Sequence, residues 1–178
     1  MSSLNYSVRE MNYLDKDDVE AWLHIMEMSF GHRIDFGNNI ISHPFYEVSA
    51  TYFLLDSDKP IAGVSIATFQ KNHDIGVTHY LGINPDYRNR GVGKYMILVA
   101  LGKLVERGIS KCEGESTLKY KKSIGIHFDF GFRPKYGRDH WNTPDNRSFL
   151  TKGLSTVAFI FFRWKYLWHR FRKEPFLS

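Results

Sequence analysis

At 178 residues the chain has room for one domain with a full core, and is too short for two comfortable ones. Apolar residues at 43% and charged residues at 24% are ordinary globular values, which leaves no place for a disordered or fibrous chain. The net charge is +5, and the single cysteine, Cys112, excludes an intramolecular disulfide and points to a reducing, cytoplasmic setting.

Met1 to Tyr6 lacks the basic stretch and apolar core of a signal peptide, and no apolar run approaches the roughly eighteen residues that span a bilayer. Tyr6 to Met11 alternates loosely as a first strand. Asp15, Asp17 and Asp18 supply helix N-terminal chemistry, apolar residues follow at helical spacing (Val19, Trp22, Ile25/Met26, Phe30), and Gly31 is the stop. Residues 31 to 50 read as irregular. Tyr52 to Leu55 and Ile61 to Gln70 read as strands joined by a turn at Asp56 to Pro60, and Lys71 to Asp74 as a second turn. Ile75 to Ile83 is the next strand, on which a period of two puts Val77, His79, Leu81 and Ile83 on one face.

A helix follows from Val92 to Glu106, with Met96, Val99/Ala100 and Leu104 on one face and an end near Gly108. Ile109 to Glu115 is a further strand and Thr117 to Phe128 a weak helix. Arg133 to Trp141 and Arg147 to Thr151 would be the last two strands, joined by a turn at Asn142 to Asn146. A meander followed by a long helix suits an α/β (α+β) arrangement: a mixed, mostly antiparallel sheet with helices on both faces.

The most informative residues lie between the Ile75–Ile83 strand and the helix from Val92: Arg88, Asn89, Arg90, Gly91, Val92 and Gly93, followed by Lys94. Two glycines permit a tight turn and a close backbone approach, and the free N–H groups of the helix start favour an anion. A Walker loop is excluded because Gly93-Lys94-Tyr95 lacks the magnesium-binding hydroxyl. A dinucleotide fingerprint is excluded because Gly91 to Met96 has no third small residue. The remaining pattern is Arg-x-x-Gly-x-Gly preceded by Leu81-Gly82-Ile83-Asn84-Pro85-Asp86-Tyr87.

This stretch resembles motif A of the GCN5-related N-acetyltransferase (GNAT) superfamily, and the resemblance extends over roughly residues 5 to 151. It implies a GNAT fold, acetyl-CoA as cosubstrate, and a pyrophosphate held by Arg88, Asn89, Arg90, Gly91, Val92, Gly93 and Lys94. It further implies that the strand before the motif splays from its neighbour, so that the backbone of Leu81, Gly82 and Ile83 pairs with the pantetheine arm.

The family often places a tyrosine as leaving-group acid four residues before a Gly-Phe pair. That pair is Gly131-Phe132 here, and the matching position carries His127. An imidazole N–H can donate a proton, with an unperturbed pKa of about 6.5; the alternative is a histidine that merely stands beside the cofactor. His79 resembles an acceptor-side histidine of the serotonin N-acetyltransferases and is a candidate general base, or equally a hydrogen-bonded core residue. Glu113 and Glu115 are the alternative bases. The other histidines show no ligand spacing, so no metal is expected. Cys112 reads as a buried strand residue.

The tail beyond residue 153 is a separate feature. It carries five Lys/Arg against one acid, which leaves 19 basic and 18 acidic residues in positions 1 to 153. Val157, Ile160, Phe161, Trp164, Leu167/Trp168 and Phe171 recur at helical spacing, so residues 156 to 173 read as a basic amphipathic helix. Its partners are a face of the domain, a second copy or larger assembly, or a membrane surface. One short basic cluster with no reading motif gives no ground for nucleic acid. The expected organisation is an acetyltransferase domain over 1–153 and a C-terminal extension over 154–178. The leading function is acetyl transfer from acetyl-CoA to a primary amine of a small molecule or protein. The alternative is a structural or interaction protein on the same fold, as in some viral particles, working through its C-terminal helix.

Overall fold

The computed structural model describes residues 6–114, 116 and 121–132. Among these residues five strands stand in sequence order, β1 (Tyr6–Glu10), β2 (Tyr46–Asp56), β3 (Lys59–Phe69), β4 (Asn72–Ile83) and β5 (Lys111–Gly114). The first four pair antiparallel and β5 joins β4 in parallel. The parallel step requires a crossover, which is α2 (Val92–Glu106). The remaining described α-helices are α1 (Lys16–Phe30) and α3 (Lys121–Asp129). The mixed, mostly antiparallel sheet expected from the meander is therefore present.

The chain divides into two compact units, residues 1–115 and 116–178. In the first, alternate residues of each strand feed two cores. Tyr52, Leu54, Ala62, Val64 and Ile66 pack with Val92, Met96, Ala100 and Leu104 of α2. Phe53 and Leu55 pack with Trp22, Leu23, Ile25 and Met26 of α1. Period-two alternation thus places one helix on each face of the sheet. In the second unit, α3 ends in a turn where Gly131 (φ 86°) lets the Phe132 N–H reach the His127 carbonyl at 3.0 Å.

Local chemistry explains the boundaries. The Asp15 side chain caps α1 by accepting the Asp17 N–H at 2.9 Å, and Gly31 (φ 78°) closes it with its N–H on the Glu27 carbonyl at 2.8 Å. Asp18, buried in the first turn, accepts from Arg9 of β1 and from the Asn12 N–H, which pins the strand to the helix. The β2–β3 hairpin turns on Ser57 and Asp58, both at positive φ (50° and 68°), the conformation that matches strand twist in a two-residue loop.

Two strands run longer than their apolar patterns. β2 begins at Tyr46, six residues before the expected Tyr52, because Glu47 to Thr51 pairs with β3 and its backbone ladder is indifferent to polar side chains. β4 begins at Asn72, which pairs with Phe69 across a tight turn. Glu115, the strands expected over 133–141 and 147–151, the 153/154 boundary and the helix expected over 156–173 lie outside the described residues. No helix among the described residues is long and apolar enough to cross a membrane.

Candidate active site

The site begins with a defect in β4. Val64 of β3 faces Leu81 and Ser65 faces His79, so Tyr80 is an extra residue between two aligned pairs. Its φ is +46°, a left-handed value that costs a bulky residue energy unless its surroundings hold it there. They do. The Tyr80 hydroxyl donates to Asn39 Oδ1 at 2.7 Å, and its ring meets Trp22 and Phe30 edge-on at 5.9 and 6.0 Å.

The bulge resets the alternation of the strand. His79 stays opposite Ser65, whereas Leu81 and Ile83 pack against the α2 core. The expectation that Val77, His79, Leu81 and Ile83 share one face is therefore corrected: a single left-handed residue turns the last two over.

β5 pairs with β4 at Ile75 to Thr78, and no described residue continues that ladder beside His79 to Ile83. The Ile83 N–H points off the sheet to Ser29 Oγ at 2.6 Å, and the Asn84 N–H turns back to the Ile61 carbonyl of β3 at 2.9 Å. Peptide groups alternate along a strand, so the Leu81 N–H faces the side of β4 away from β3 and the Gly82 N–H faces β3. Gly82 contributes by having no side chain, since a Cβ there would stand 2.6 Å from Met26 Sδ. Its absence lets α1 close on the strand end.

Downstream, the chain is preset for a helix start. Asn84 Oδ1 accepts the Asp86 N–H at 3.0 Å around a short 3₁₀ turn, Pro85–Tyr87. The Tyr87 hydroxyl donates to Asp56 at 3.0 Å, and the Arg90 guanidinium lies 5.3 Å from the Tyr87 ring centre. Arg88 Nη2 donates to the Met28 carbonyl at 3.3 Å, tying the loop to the last turn of α1. Asn89 (φ 64°) and Gly91 (φ 82°) fold the loop, and Gly91 is the α2 N-cap with no side chain to cap it.

The first helical bond of α2 runs from the Tyr95 N–H to the Gly91 carbonyl at 3.1 Å. The amides of Val92, Gly93 and Lys94 therefore precede the helical ladder, at the positive end of the helix dipole. A Cβ at Gly91 would meet nothing within 4 Å, so open space lies in front of the turn. Val92 and Gly93 are buried, whereas Arg88, Asn89, Arg90 and Lys94 are exposed around the opening.

His79 is nearly enclosed. Nε2–H donates to the Asn39 carbonyl at 3.1 Å, and the ring meets Tyr80, His43 and Tyr46 edge-on at 4.4, 5.0 and 5.1 Å. Burial pushes its pKa down to about 4, partly offset by the Asn39 carbonyl. At neutral pH it is an uncharged imidazole in an aromatic cluster. The His127 Nδ1–H donates to the Ser123 carbonyl at 2.7 Å, and the ring meets Phe132 at 4.9 Å. Because a carbonyl can only accept, the neutral ring carries its proton on Nδ1 and a lone pair on Nε2. Burial lowers its pKa.

Glu113 stands opposite Val77 in the β4–β5 pair, on the face that His79 shares. Cys112 is half-buried, and burial pushes its thiol up to about 11, so no thiolate forms at neutral pH. Among the described residues no group of three or more His, Cys, Asp or Glu could hold a metal ion. Sequence patterns missed Ser29, Asn39 and Tyr80, whose contacts join residues about forty or more positions apart along the chain.

No curated protein sequence matches the chain. Among solved structures, the ribosomal-protein-S18-alanine N-acetyltransferase from Escherichia coli superposes with a TM-score of 0.60 at 18% identity, covering 80% of this chain and 87% of that one. The aminoglycoside N-acetyltransferase AAC(6')-Iy in complex with CoA gives 0.60 at 15% identity, covering 82% and 95%. AAC(6')-Iy with a bisubstrate analogue gives 0.57 at 17% identity, covering 75% and 97%. At such identities the likeness is one of fold. The model of the Acetyltransferase (GNAT) family matches residues 14–132, a span that takes in α1, the β4 bulge and edge, the α2 cradle and α3, and the chain belongs to that family.

Proposed function

We propose that the chain transfers the acetyl group of acetyl-CoA to a primary amine of a small molecule or protein. One observation carries the reading: a helix N-terminus with no side-chain cap, behind a left-handed glycine, follows a strand whose last residues, past Thr78, are not paired with β5 or any other described strand on that side. The residues suit the cosubstrate. The amides of Val92, Gly93 and Lys94, ringed by Arg88, Arg90 and Lys94, match a pyrophosphate in charge and in donors. Leu81 and Ile83 present edge peptide groups that an extended amide arm can pair with, as an added strand would. Acetyl-CoA supplies an activated acyl group as a thioester.

Catalysis then rests on position and on the backbone. The Leu81 N–H, fixed by the bulge, can donate to a carbonyl oxygen at the edge, where preorganised donors stabilise developing negative charge. His79 suits a positioning role better than a basic one, because its N–H is engaged and its low pKa makes it a weak base. His127 as a neutral acid conflicts with the Ser123 bond, which uses its only proton; as an imidazolium it would act only in acid. Glu113 and Glu115 remain the carboxylates for the amine's proton.

The acceptor is met by the segment from Asp35 to Tyr46, where Asn39 and His43 stand over β4. The fold neighbours are named as a ribosomal-protein-S18-alanine N-acetyltransferase and an aminoglycoside N-acetyltransferase. Calorimetric titration with acetyl-CoA tests the reading, followed by labelled-acetyl assays on peptide and aminoglycoside amines. Saturable binding is expected; its absence at about millimolar ligand, a bound of about −4 kcal/mol, would sink it.

A further inference from the structure

A serine on α1 already occupies part of the β4 edge. Ser29 Oγ accepts the Ile83 N–H at 2.6 Å and donates its own proton to the Ile83 carbonyl at 2.9 Å. One hydroxyl thereby satisfies both polar groups of one edge residue, the two bonds that a neighbouring strand would otherwise make. Ser29 lies in the last turn of α1, beside Met28, whose carbonyl takes the Arg88 guanidinium of the cradle loop. The close seat of α1 on the strand end, which requires Gly82, brings the hydroxyl there.

A bare edge amide is costly to bury and prone to wrong pairing. A hydroxyl that caps it is cheap to displace, since each of its bonds contributes little net energy. We propose that Ser29 is a competing cap on the ligand edge: it holds Ile83 in the free protein and is displaced when an extended, amide-bearing ligand pairs with Leu81 and Ile83. Ser29 therefore sets the affinity for the arm of the ligand and leaves its phosphates untouched. This rests on the acetyl-CoA reading and adds a residue that subtracts from binding.

Ser29→Ala and the near-isosteric Ser29→Cys, each checked by thermal melting, are titrated with CoA, with pantetheine and with adenosine 3′,5′-bisphosphate. Ser29→Ala is expected to bind CoA and pantetheine about 3- to 10-fold more tightly, the worth of one net hydrogen bond, with Ser29→Cys intermediate. Bisphosphate affinity stays within twofold. Hydrogen exchange at the Ile83 amide accelerates in free Ser29→Ala and slows again with CoA.

Unchanged or weaker binding of both arm ligands to Ser29→Ala, with wild type binding normally, overturns the role of Ser29 and leaves the cofactor reading standing. A shift of equal size for the bisphosphate also overturns it, because the effect would then be global. If neither wild type nor Ser29→Ala binds CoA, the cofactor reading falls and the cap falls with it.

Discussion

His79 and Leu81 are two residues apart on β4 and lie on opposite faces of the sheet, because Tyr80 between them takes a left-handed φ of +46° and is the extra residue between two aligned β3–β4 pairs. His79 thus joins the aromatic cluster under Asn39 while Leu81 packs on the α2 side with its N–H directed away from β3. The bulge separates the aromatic cluster around His79 from the strand edge.

Tyr80 pays for that arrangement with its ring and its hydroxyl. Tyr80→Phe removes only the bond to Asn39 and is expected to cost about 1 kcal/mol in chemical denaturation. Tyr80→Val loses the ring contacts and puts a β-branched residue at positive φ, so about 3 kcal/mol or more is expected. Equal costs for the two would mean that the ring and backbone do not hold the bulge.

Gly91 separates binding from folding. The open space at its Cβ means that Gly91→Ala meets no clash, and its φ of 82° costs about 1–2 kcal/mol of strain. Gly91→Asp pays the same strain and also sets a carboxylate before the α2 amides. Its melting temperature should equal or exceed that of Gly91→Ala, because the carboxylate caps the α2 amides, while CoA binding is lost. Retained affinity in Gly91→Asp would put the pyrophosphate elsewhere.

His127 spends its neutral-state proton on Ser123, so His127→Phe is expected to keep turnover within about threefold at neutral pH, well short of the 10²–10⁴ attributed to a general acid. A loss of a hundredfold or more, appearing in kcat with KM unchanged, would return His127 to the chemistry.

Protonation of His79 is disfavoured in the fold, with a pKa of about 4 against an ordinary 6.5. Between those values the unfolded chain binds the proton and the native state does not, so stability rises with pH through that window. The contribution is fully present above pH 6.5 and is lost as pH falls toward 4, roughly 3 kcal/mol in all. The His127 shift has the same sign. His79→Gln should flatten the dependence measured by urea unfolding between pH 4 and 6.5. An unchanged slope would show that the ring is not held neutral by burial.

Local chemistry is what made much of the chain legible. The Asp15 cap and Gly31 stop of α1, the Asp56–Pro60 turn, and the glycine turn before Val92 are written in adjacent residues, because capping and turn geometry depend on side chains a few positions away. The glycine turn ahead of α2 was readable for the same reason: Asn89, Gly91 and the start of α2 are consecutive in the chain. The β4 face pattern was not, since a period of two assumes an unbroken pleat and nothing in Thr78-His79-Tyr80-Leu81 announces a bulge.

By itself, then, the sequence determined the strand-and-helix order from β1 to α2 and the family, both properties of contiguous stretches, and it raised Arg88 to Lys94 as a candidate anion site. Only the tertiary structure decided that Tyr80 turns the strand over, that Asn39 holds both His79 and Tyr80, that His127 gives its proton to Ser123, and that Ser29 sits on Ile83. Except for the His127 bond, each joins residues far apart in the chain. Even that one fixes a tautomer that only the placed atoms reveal. Such contacts form when α1 and the 31–46 segment close on β4, and no local pattern encodes where that closure brings a hydroxyl or a carbonyl.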